Sequence, residues 1–433
     1  MATAYAALSG GASSVVVVEA GRVASGASGR NGGQLWPSFR VPHDIVSPDE
    51  LPDNLVAAFD FDYACLRDIA DFAARTVGAE AIGLELGGGL GVEIIPDPLC
   101  WSDMETAIVP VLQALHTSSL NSAALGANNK PMAMDSLSHS AASHFGNAGG
   151  VVAEPECGTI DPVAFCFAVA DAAAAAAEAR GSVFAIAEET TALRLEAAPA
   201  GCVRVVLADG SAVIATTVVL AVNGYHLVPD LFPPWLAECG ELVWTTPREL
   251  VAAYPVPSAP AAMAAMRDAL GSPDPFLISL PDEVYGRQAY DSIVFGSSVQ
   301  LPAGGSDSDP DAIAVGDELA SLVGELCAPD EPLPPPTRIW SGRLAYTADN
   351  LPLIGPVTAP GSTYVADGLA ADSPVFLVGG YSGNGMTKAL RAGYCAGKWA
   401  CARLNLDPAT LPPWMAGVAI PAAFDPMRFS PYQ

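Results

Sequence analysis

The stretch Ser13–Ala20, SSVVVVEA, runs directly into the loop Gly21–Gln34, GRVASGASGRNGGQ. Four consecutive valines after the break at Gly10-Gly11 predict a short buried strand, and Glu19 closes it. A carboxylate at the end of a buried parallel strand commonly accepts hydrogen bonds from the ribose hydroxyls of a dinucleotide. The stretch therefore predicts the second strand of a dinucleotide-binding fold, unless Glu19 is only a solvated acid at a strand end.

The loop after Glu19 combines small residues with positive charge. Its small side chains permit close backbone approach, and its amides are suited to a phosphate group. The chain carries 47 acidic and only 19 basic residues, with a net charge of -28, so two arginines within one Gly/Ser loop are informative. We interpret the loop as an anion-binding segment rather than a flexible linker, with these candidate residues: Arg22, Ser25, Ser28 and Arg30.

A second glycine-rich segment, Gly379–Met386 (GGYSGNGM), follows the apolar triplet Phe376–Val378. A helix is expected from about Met386 to Leu404, and its N-terminus would present unpaired N–H groups and a positive dipole end to a ligand. The alternative is a plain glycine turn before a helix. Gly393 and Gly397 fit close helix packing in either case.

The segment WSGRLAYTADNLPLIG at 340–355 supplies one further candidate. Arg343 is suited to bidentate binding of a substrate carboxylate, and Asp349 to ordering the loop. The alternative for Arg343 is a surface salt bridge, which contributes little.

Composition excludes several classes of function. At 433 residues and 51% hydrophobic content, the chain is long and apolar enough for two or three globular units. Its negative charge opposes binding to nucleic acid or an anionic membrane, and no apolar run approaches the roughly 20 residues of a membrane span. The five histidines form no HExxH pattern, so no metal is expected, and no GxSxG supports a hydrolase.

The nine cysteines show no CxxC pair, their number is odd, and no cationic segment opens the chain. The sequence ends in SPYQ, which is not an SKL-type signal. We expect free thiols, a soluble protein and a cytoplasmic location.

Local patterns predict the main elements. The expected helices are at 3–8, 53–74 and 159–181, the last with Asp161 as its cap and Gly181 as its end. The glycine run 86–91 is expected to end the region before a strand at 92–95. Further strands are expected at 183–186, 203–207, 213–222, 284–285 and 292–299, with a tight turn at Ala208–Gly210.

In this order and spacing, VVVVEAGRVASGASGRNGGQ, VVLAVNGYH (218–226), WSGRLAYTADNLPLIG and VFLVGGYSGNGM resemble the FAD-dependent D-amino-acid oxidase superfamily over nearly the whole chain. The branch with glycine and sarcosine oxidases and gamma-glutamylputrescine oxidase is the most similar. The resemblance implies an α/β fold: a discontinuous Rossmann-like FAD-binding domain with an inserted α+β substrate domain built on an antiparallel sheet. The implied FAD segments are 1–85, 132–238 and 339–433, and the implied substrate segments are 86–131 and 239–338.

The resemblance also implies roles for residues. Glu19 would bind the adenosine ribose, and the backbone of Thr190 would meet adenine. Residues along the pyrophosphate and the isoalloxazine ring would be Ser25, Ser28, Arg30, Asn31, Gly32, Gly33 and Gln34. Residues at the pyrimidine end of the flavin would be Gly383, Asn384, Gly385 and Met386.

By resemblance, a small amine or amino acid gives a hydride from its α-carbon to flavin N5, the imine hydrolyses, and O2 re-oxidises the flavin to give H2O2. The cofactor carries the chemistry, which agrees with the lack of another catalytic motif. A flavin dehydrogenase that passes electrons to a different acceptor is an alternative.

Four departures from the family pattern bear on these expectations. Gly342 stands where sarcosine oxidases attach flavin through a cysteine, so we expect non-covalent FAD. Leu344 stands where glycine oxidases have a carboxylate-binding arginine, one position after Arg343. Thr387 stands where sarcosine oxidases have a lysine, one position before Lys388.

The fourth departure is at the start. Family members have a strand and a GxGxxG loop before a helix reading like LATAYxL, and Met1–Tyr5 matches that helix. We therefore expect the first strand and GxGxxG to be missing from this sequence. This leaves two interpretations: an incomplete gene model of an oxidase, or a non-catalytic remnant that binds FAD weakly or not at all.

Overall fold

The computed structural model describes residues 1–37, 53–95, 150–223, 243–245, 249–255, 276–280, 284–289, 292–300, 335–357 and 374–426, with the isolated positions 51, 106, 110, 111, 114, 115, 231, 317 and 321. All five histidines lie outside the described residues, as does most of the segment 86–131 beyond residue 95.

The α-helices of the described residues are α1 Ala2–Ser9, α2 Ala27–Arg30, α3 Asp53–Arg75, α4 Pro162–Arg180, α5 Gly385–Arg403 and α6 Pro413–Ala416. Short 3-10 turns lie at Glu80–Ile82, Pro199–Gly201, Pro408–Thr410 and Ala422–Phe424.

The strands are β1 Ser14–Val18, β2 Gln34–Leu35, β3 Glu85–Ile95, β4 Gly150–Thr159, β5 Val183–Ala187, β6 Ala192–Ala197, β7 Val203–Leu207, β8 Ala212–Ala215, β9 Val218–Leu220, β10 Val243–Thr245, β11 Glu249–Tyr254, β12 Phe276–Leu280, β13 Val284–Ala289, β14 Ser292–Gln300, β15 Arg338–Gly342, β16 Ala345–Thr347, β17 Leu353–Pro356 and β18 Val375–Gly379.

A layer of helices supports the strands that the sequence assigned to dinucleotide binding. β1 pairs in parallel with β5, and β18 lies between β9 and β17 in a second small sheet. Beneath them, α1 packs against both α4 and α5, while α4 contacts β5 and α5 contacts β18. Within the described strands, β1 is paired only with β5, and β9 only with β18.

Small residues bring α1 and α5 into close contact. A side chain at Gly397 would collide with Ala6, and one at Gly393 would collide with Ala2. The two glycines lie one turn apart on α5, so one face of that helix accepts α1 along its length. The sequence prediction of close helix packing at these positions is confirmed.

Aromatic side chains fill the space between the helices. The Tyr5 ring stacks on Trp414 at a centroid distance of 5.1 Å and meets Phe72 edge-on at 5.8 Å. Phe72 in turn meets Phe165 edge-on at 5.7 Å. These contacts connect α1, α3, α4 and α6 in one core, where large apolar area is removed from water.

The expected caps of α4 are present. The Asp161 carboxylate accepts hydrogen bonds from the amides of Val163 and Ala164, both at 2.9 Å, and Gly181 ends the helix at a φ of +65°. By length and mean hydropathy α4 is apolar enough to cross a membrane, a property that core helices of soluble proteins share. Its buried face contacts α1.

An eight-stranded sheet forms the second layer, in the order β15-β11-β14-β13-β12-β3-β4-β2. Its neighbouring strands are antiparallel except for β12 and β3, which are parallel. It combines strands from both expected domains, since β4 pairs with β3 and β15 pairs with β11, while β2 continues the sheet beyond β4. The five-segment domain division remains a proposal.

Two expectations about strands were wrong. The stretch 213–222 is not one strand: β8 joins an antiparallel meander with β6 and β7, whereas β9 joins β18. The glycine run 86–91 does not end a region, because it lies inside β3. Gly91 packs against the Trp36 ring and the Cys157 sulfur, where a side chain has no room.

Candidate functional site

Parallel pairing of β1 with β5 brings Glu19 and Thr190 together. The Glu19 amide donates to the Ala187 carbonyl at 2.9 Å, and the Thr190 amide donates to the Glu19 carbonyl at 2.8 Å. The Glu19 carboxylate accepts from the Gly21 amide at 2.8 Å. The half-buried acid is thus fixed over the start of the loop that follows it.

The first part of that loop is tied to the end of β5. The Val23 amide donates to the Glu188 carboxylate at 2.7 Å, and the Ser25 hydroxyl accepts from the Arg22 amide at 3.0 Å. The Arg22 guanidinium contacts Glu189 at 3.3 Å, with both side chains mostly exposed. Because its side chain is mostly exposed, Arg22 lies at the outer margin of the loop. An exposed ion pair of this kind contributes little to stability.

The Asn31 side chain shapes the second part of the loop. Its amide nitrogen donates to the carbonyls of Ala27 (3.0 Å) and Ser28 (2.8 Å), and its oxygen accepts from the Gly33 amide at 2.8 Å. Gly33 has a φ of +69°, and a side chain there would collide with the Ile160 carbonyl. This turn therefore requires glycine.

Arg30 connects the loop to the eight-stranded sheet. Its Nε donates to the Ser25 carbonyl at 2.7 Å, and Nη1 donates to the Ser341 carbonyl at 3.2 Å. In return, Trp340 Nε1 donates to the Arg30 carbonyl at 2.6 Å. Gln34 then enters that sheet in β2, opposite Thr159.

The second glycine loop is held by two other strand ends. The Gly380 amide donates to the Asn223 side chain at 2.9 Å, just after β9. The Ser382 amide donates to the Ala345 carbonyl at 2.9 Å, and the Ser382 hydroxyl accepts from the Thr347 amide at 3.3 Å. Asn223 and Thr347 lay within the segments that carry the family resemblance, but the sequence assigned them no role.

The loop leads into the uncapped N-terminus of α5. Asn384 is its N-cap residue without a side-chain cap bond, and the first turn contains no acidic residue. Gly383 has a φ of +87°, and the nearest atom to a side chain built there is the Tyr346 hydroxyl at 3.7 Å. The Asn384 amide donates to the Tyr381 carbonyl at 3.0 Å. The positive dipole end makes this end of α5, from Gly383 through Asn384 and Gly385 to Met386, suited to negative charge.

Thr387 joins the two loops. Its hydroxyl lies 3.2 Å from both the amide and the carbonyl of Trp36, two residues after Gln34. The contact is buried. The segments 21–36 and 379–387 are therefore in direct contact.

Lys388 points away from this site. Its ammonium pairs with Asp62 of α3 at 2.8 Å, and both side chains are buried. Burial raises the pKa of Asp62, while the Lys388 charge lowers it. Successive residues of a helix point about 100° apart around its axis. Because the lysine is displaced by one residue from the family pattern, its side chain lies in the interface between α3 and α5. A second pair, Arg391–Asp68 at 2.8 Å, lies beside it.

Arg343 lies half-buried between β15 and β16. A side chain built at the preceding residue, Gly342, would lie 3.5 Å from Ala27 of α2. Arg343 therefore comes directly after the residue at which β15 approaches the first loop. The structure thus places it near α2.

A residue that sequence reasoning missed reaches the first loop from β13. Arg287 Nε donates a short hydrogen bond to the Gly32 carbonyl. Nothing in the sequence near Arg287 indicated this contact, because the inserted segments contain no recognisable motif.

A sequence profile described as FAD dependent oxidoreductase (DAO) matches residues 1–399. The chain belongs to the DAO family of FAD-dependent oxidoreductases. The family predicted from the sequence, and with it the α/β fold class, is confirmed. No curated protein matches the chain in sequence.

Solved DAO-type structures share the fold. Glycine oxidase from Geobacillus kaustophilus is 15% identical, with 98% of this chain and 94% of that chain covered and a TM-score of 0.62. L-proline dehydrogenase from P. horikoshii is 13% identical, with coverages of 99% and 94% and a TM-score of 0.63. Iminodiacetate oxidase from Chelativorans sp. BNC1 is 14% identical, with coverages of 93% and 92% and a TM-score of 0.60.

The described residues fit FAD. A carboxylate lies at the end of β1, a glycine loop follows it, and the N-terminus of α5 is uncapped and free of acidic residues in its first turn. Those features suit a ribose, a pyrophosphate and the electron-rich end of a flavin ring. Among the described residues, no group of three or more His, Cys, Asp or Glu side chains could hold a metal ion.

Proposed function

We propose that the protein oxidises the C–N bond of a small amine or amino acid, using non-covalent FAD and passing electrons to O2 to give H2O2. The observation that carries this proposal is the connection of the Glu19 loop to the α5 N-terminus through Thr387 and Trp36. Family membership supports the redox chemistry. Similar folds bear the names glycine oxidase, iminodiacetate oxidase and L-proline dehydrogenase, which supports the substrate class.

Residues of this chain would hold the cofactor in three groups. Glu19 and Thr190 would meet the adenosine end, and the loop from Ser25 to Gln34 would lie along the pyrophosphate and the ring. Asn384, Gly385 and Met386 would present the positive end of α5 to the ring. Bound FAD would supply the hydride acceptor that no side chain provides.

Gly342 underlies the proposal that FAD is not covalently attached, since it offers no nucleophile at the position of the flavin-linking cysteine. Arg343 is the proposed partner of a substrate carboxylate. Its guanidinium suits bidentate binding of that group, and it adjoins the contact between the sheet and α2.

Two other candidate functions are proposed. One is a non-catalytic protein that binds FAD weakly or not at all. The fold shared with a proline dehydrogenase favours an acceptor other than O2.

A reconstitution experiment tests the proposal. Purified protein is mixed with FAD, freed of unbound flavin and exposed without oxygen to a panel of glycine, sarcosine, proline and small primary amines. Loss of the oxidised-flavin band at about 450 nm with one of them supports the proposal. Admitting oxygen then separates the acceptors: H2O2 release supports an oxidase, whereas turnover only with an added dye supports a dehydrogenase. No bleaching by any of these substrates would contradict the proposed substrate class.

A further inference from the structure

The eight-stranded sheet directs one of its faces at the first glycine loop. In a strand, alternate residues share a face, and directly paired residues of neighbouring strands lie side by side. Arg287 of β13 pairs with Val294 of β14, which pairs with Ala253 of β11, which pairs with Arg338 of β15. Two arginines therefore belong to one row across one face of the sheet.

Two side chains on this face donate hydrogen bonds to the loop, and a third lies near it. Arg287 donates to the Gly32 carbonyl, and Trp340, two residues after Arg338, donates to the Arg30 carbonyl. Val294 lies 3.9 Å from the position of a side chain at Gly32. Of these contacts, the one from Arg287 carries a permanent charge, because guanidinium stays protonated in proteins.

The Arg287 contact completes the fixation of a turn made of two glycines. Gly33 is held by Asn31 and by the Ile160 amide, which donates to the Gly33 carbonyl at 2.9 Å. The Gly32 carbonyl is held from the other side by Arg287. Consecutive glycines have wide conformational freedom, so a turn fixed on one side only would sample several shapes.

We propose that Arg287 is a positioning residue: from β13 of the eight-stranded sheet it fixes the Gly32 carbonyl, and thereby sets the shape of the Gly32–Gly33 turn for the flavin ring. The cofactor part of this inference rests on the proposed function. The anchoring of the turn by Arg287 does not rest on the proposed function, because the hydrogen bond from Arg287 to Gly32 joins two parts of the protein itself.

Arg338 offers a matched control. It lies in the same cross-strand row on the same face, but on the edge strand β15 and exposed. R338M removes the same charge from the same face as R287M. A difference between the two variants therefore reports the contact with Gly32 and not the loss of one positive charge.

The test has a cofactor-free arm. Hydrogen–deuterium exchange of the peptide covering residues 27–36 is followed in protein without FAD. R287M is expected to speed exchange there and R338M to leave it unchanged. R287K, which keeps a charged donor, is expected to restore part of the protection. If R287M does not fold, R287A, which also removes the donor, replaces it in the comparison with R338M. Equal exchange in the Arg287 and Arg338 variants would overturn the anchoring role.

The second arm measures FAD affinity and the visible spectrum of the bound flavin. R287M is expected to weaken FAD binding by about tenfold, the effect of one lost strong contact, and to alter the shape of the flavin band. R338M should do neither. Equal affinity and equal spectra in both variants would overturn the cofactor part. If the unaltered protein binds no FAD, the proposed function fails, and the exchange arm still decides the anchoring role.

Discussion

The Glu19 carboxylate accepts a hydrogen bond from the Gly21 amide at 2.8 Å. The side chain that directly follows β1 therefore points toward the start of the first glycine loop. E19Q keeps an oxygen for this bond and removes the negative charge. If Glu19 binds ribose hydroxyls, we expect FAD affinity to fall by about tenfold, with little change in melting temperature without FAD. Fluorescence titration measures the affinity.

Glu178 provides the control for that prediction, because it is exposed on α4 away from the loop. E178Q removes the same charge and should leave FAD affinity unchanged. If E19Q and E178Q bind FAD equally well, Glu19 has no part in binding the cofactor.

Gly397 permits the close contact of α5 with α1. G397A should improve helix propensity by about 1 kcal/mol, but its methyl group would collide with Ala6. The collision should dominate, with a net loss of about 1–3 kcal/mol in the free energy of unfolding. Urea denaturation measures it. G417A is the control, since no atom lies within 4 Å of a side chain built there. A gain in stability for G397A would show that the two helices separate easily.

The buried Lys388–Asp62 pair gives a prediction about stability. K388M leaves the Asp62 carboxylate buried without its counter-charge, and Asp62 Oδ1 already has no hydrogen-bond partner. We expect a loss of about 3–5 kcal/mol. The double variant D62L/K388M should recover most of it, because a buried ion pair and an apolar pair of similar volume are often equally stable. A double variant as unstable as K388M would contradict this account.

Buried thiols predict a loss of stability in alkali. Burial raises the pKa of Cys166 to about 11, of Cys395 to about 12 and of Cys401 to about 11, from an ordinary value of 9.0. Above pH 9 the unfolded chain therefore releases protons that the folded protein keeps. The free energy of unfolding should fall as pH rises from about 9 to about 11.

Melting temperatures measured between pH 7 and pH 11 check this dependence, with C401A as the comparison. C401A removes one titrating thiol, so its melting temperature should fall less steeply with pH than that of the unaltered protein, whatever its stability at pH 7. Parallel curves would show that the Cys401 thiol does not contribute.

The local signals in the sequence were sufficient for the parts of the site built on one segment. Glu19 at a strand end, the cap at Asp161 and the glycines at the start of α5 each follow from a few neighbouring residues. The structure brings Glu19 beside Thr190 because β1 and β5 pair in parallel, and the spacing of the family segments already suggested this.

Contacts between distant segments were not predictable in the same way. Arg287 reaches Gly32 because β13, β14, β11 and β15 pair in one register, and that register leaves no trace in the residues around Arg287. The orientation of Lys388 depends on which face of α5 meets α3. The glycines of β3 resembled a loop, since close contact with Trp36 is visible only in three dimensions.

The central claim is that this chain holds FAD without a covalent bond, and a titration followed by denaturation tests it most directly. FAD is added to purified protein while the absorption near 450 nm is recorded, and the complex is then precipitated with acid. We predict a saturable change in the flavin band and yellow colour in the supernatant. An unchanged flavin spectrum at saturating FAD would contradict the claim, and colour retained in the precipitate would contradict non-covalent binding.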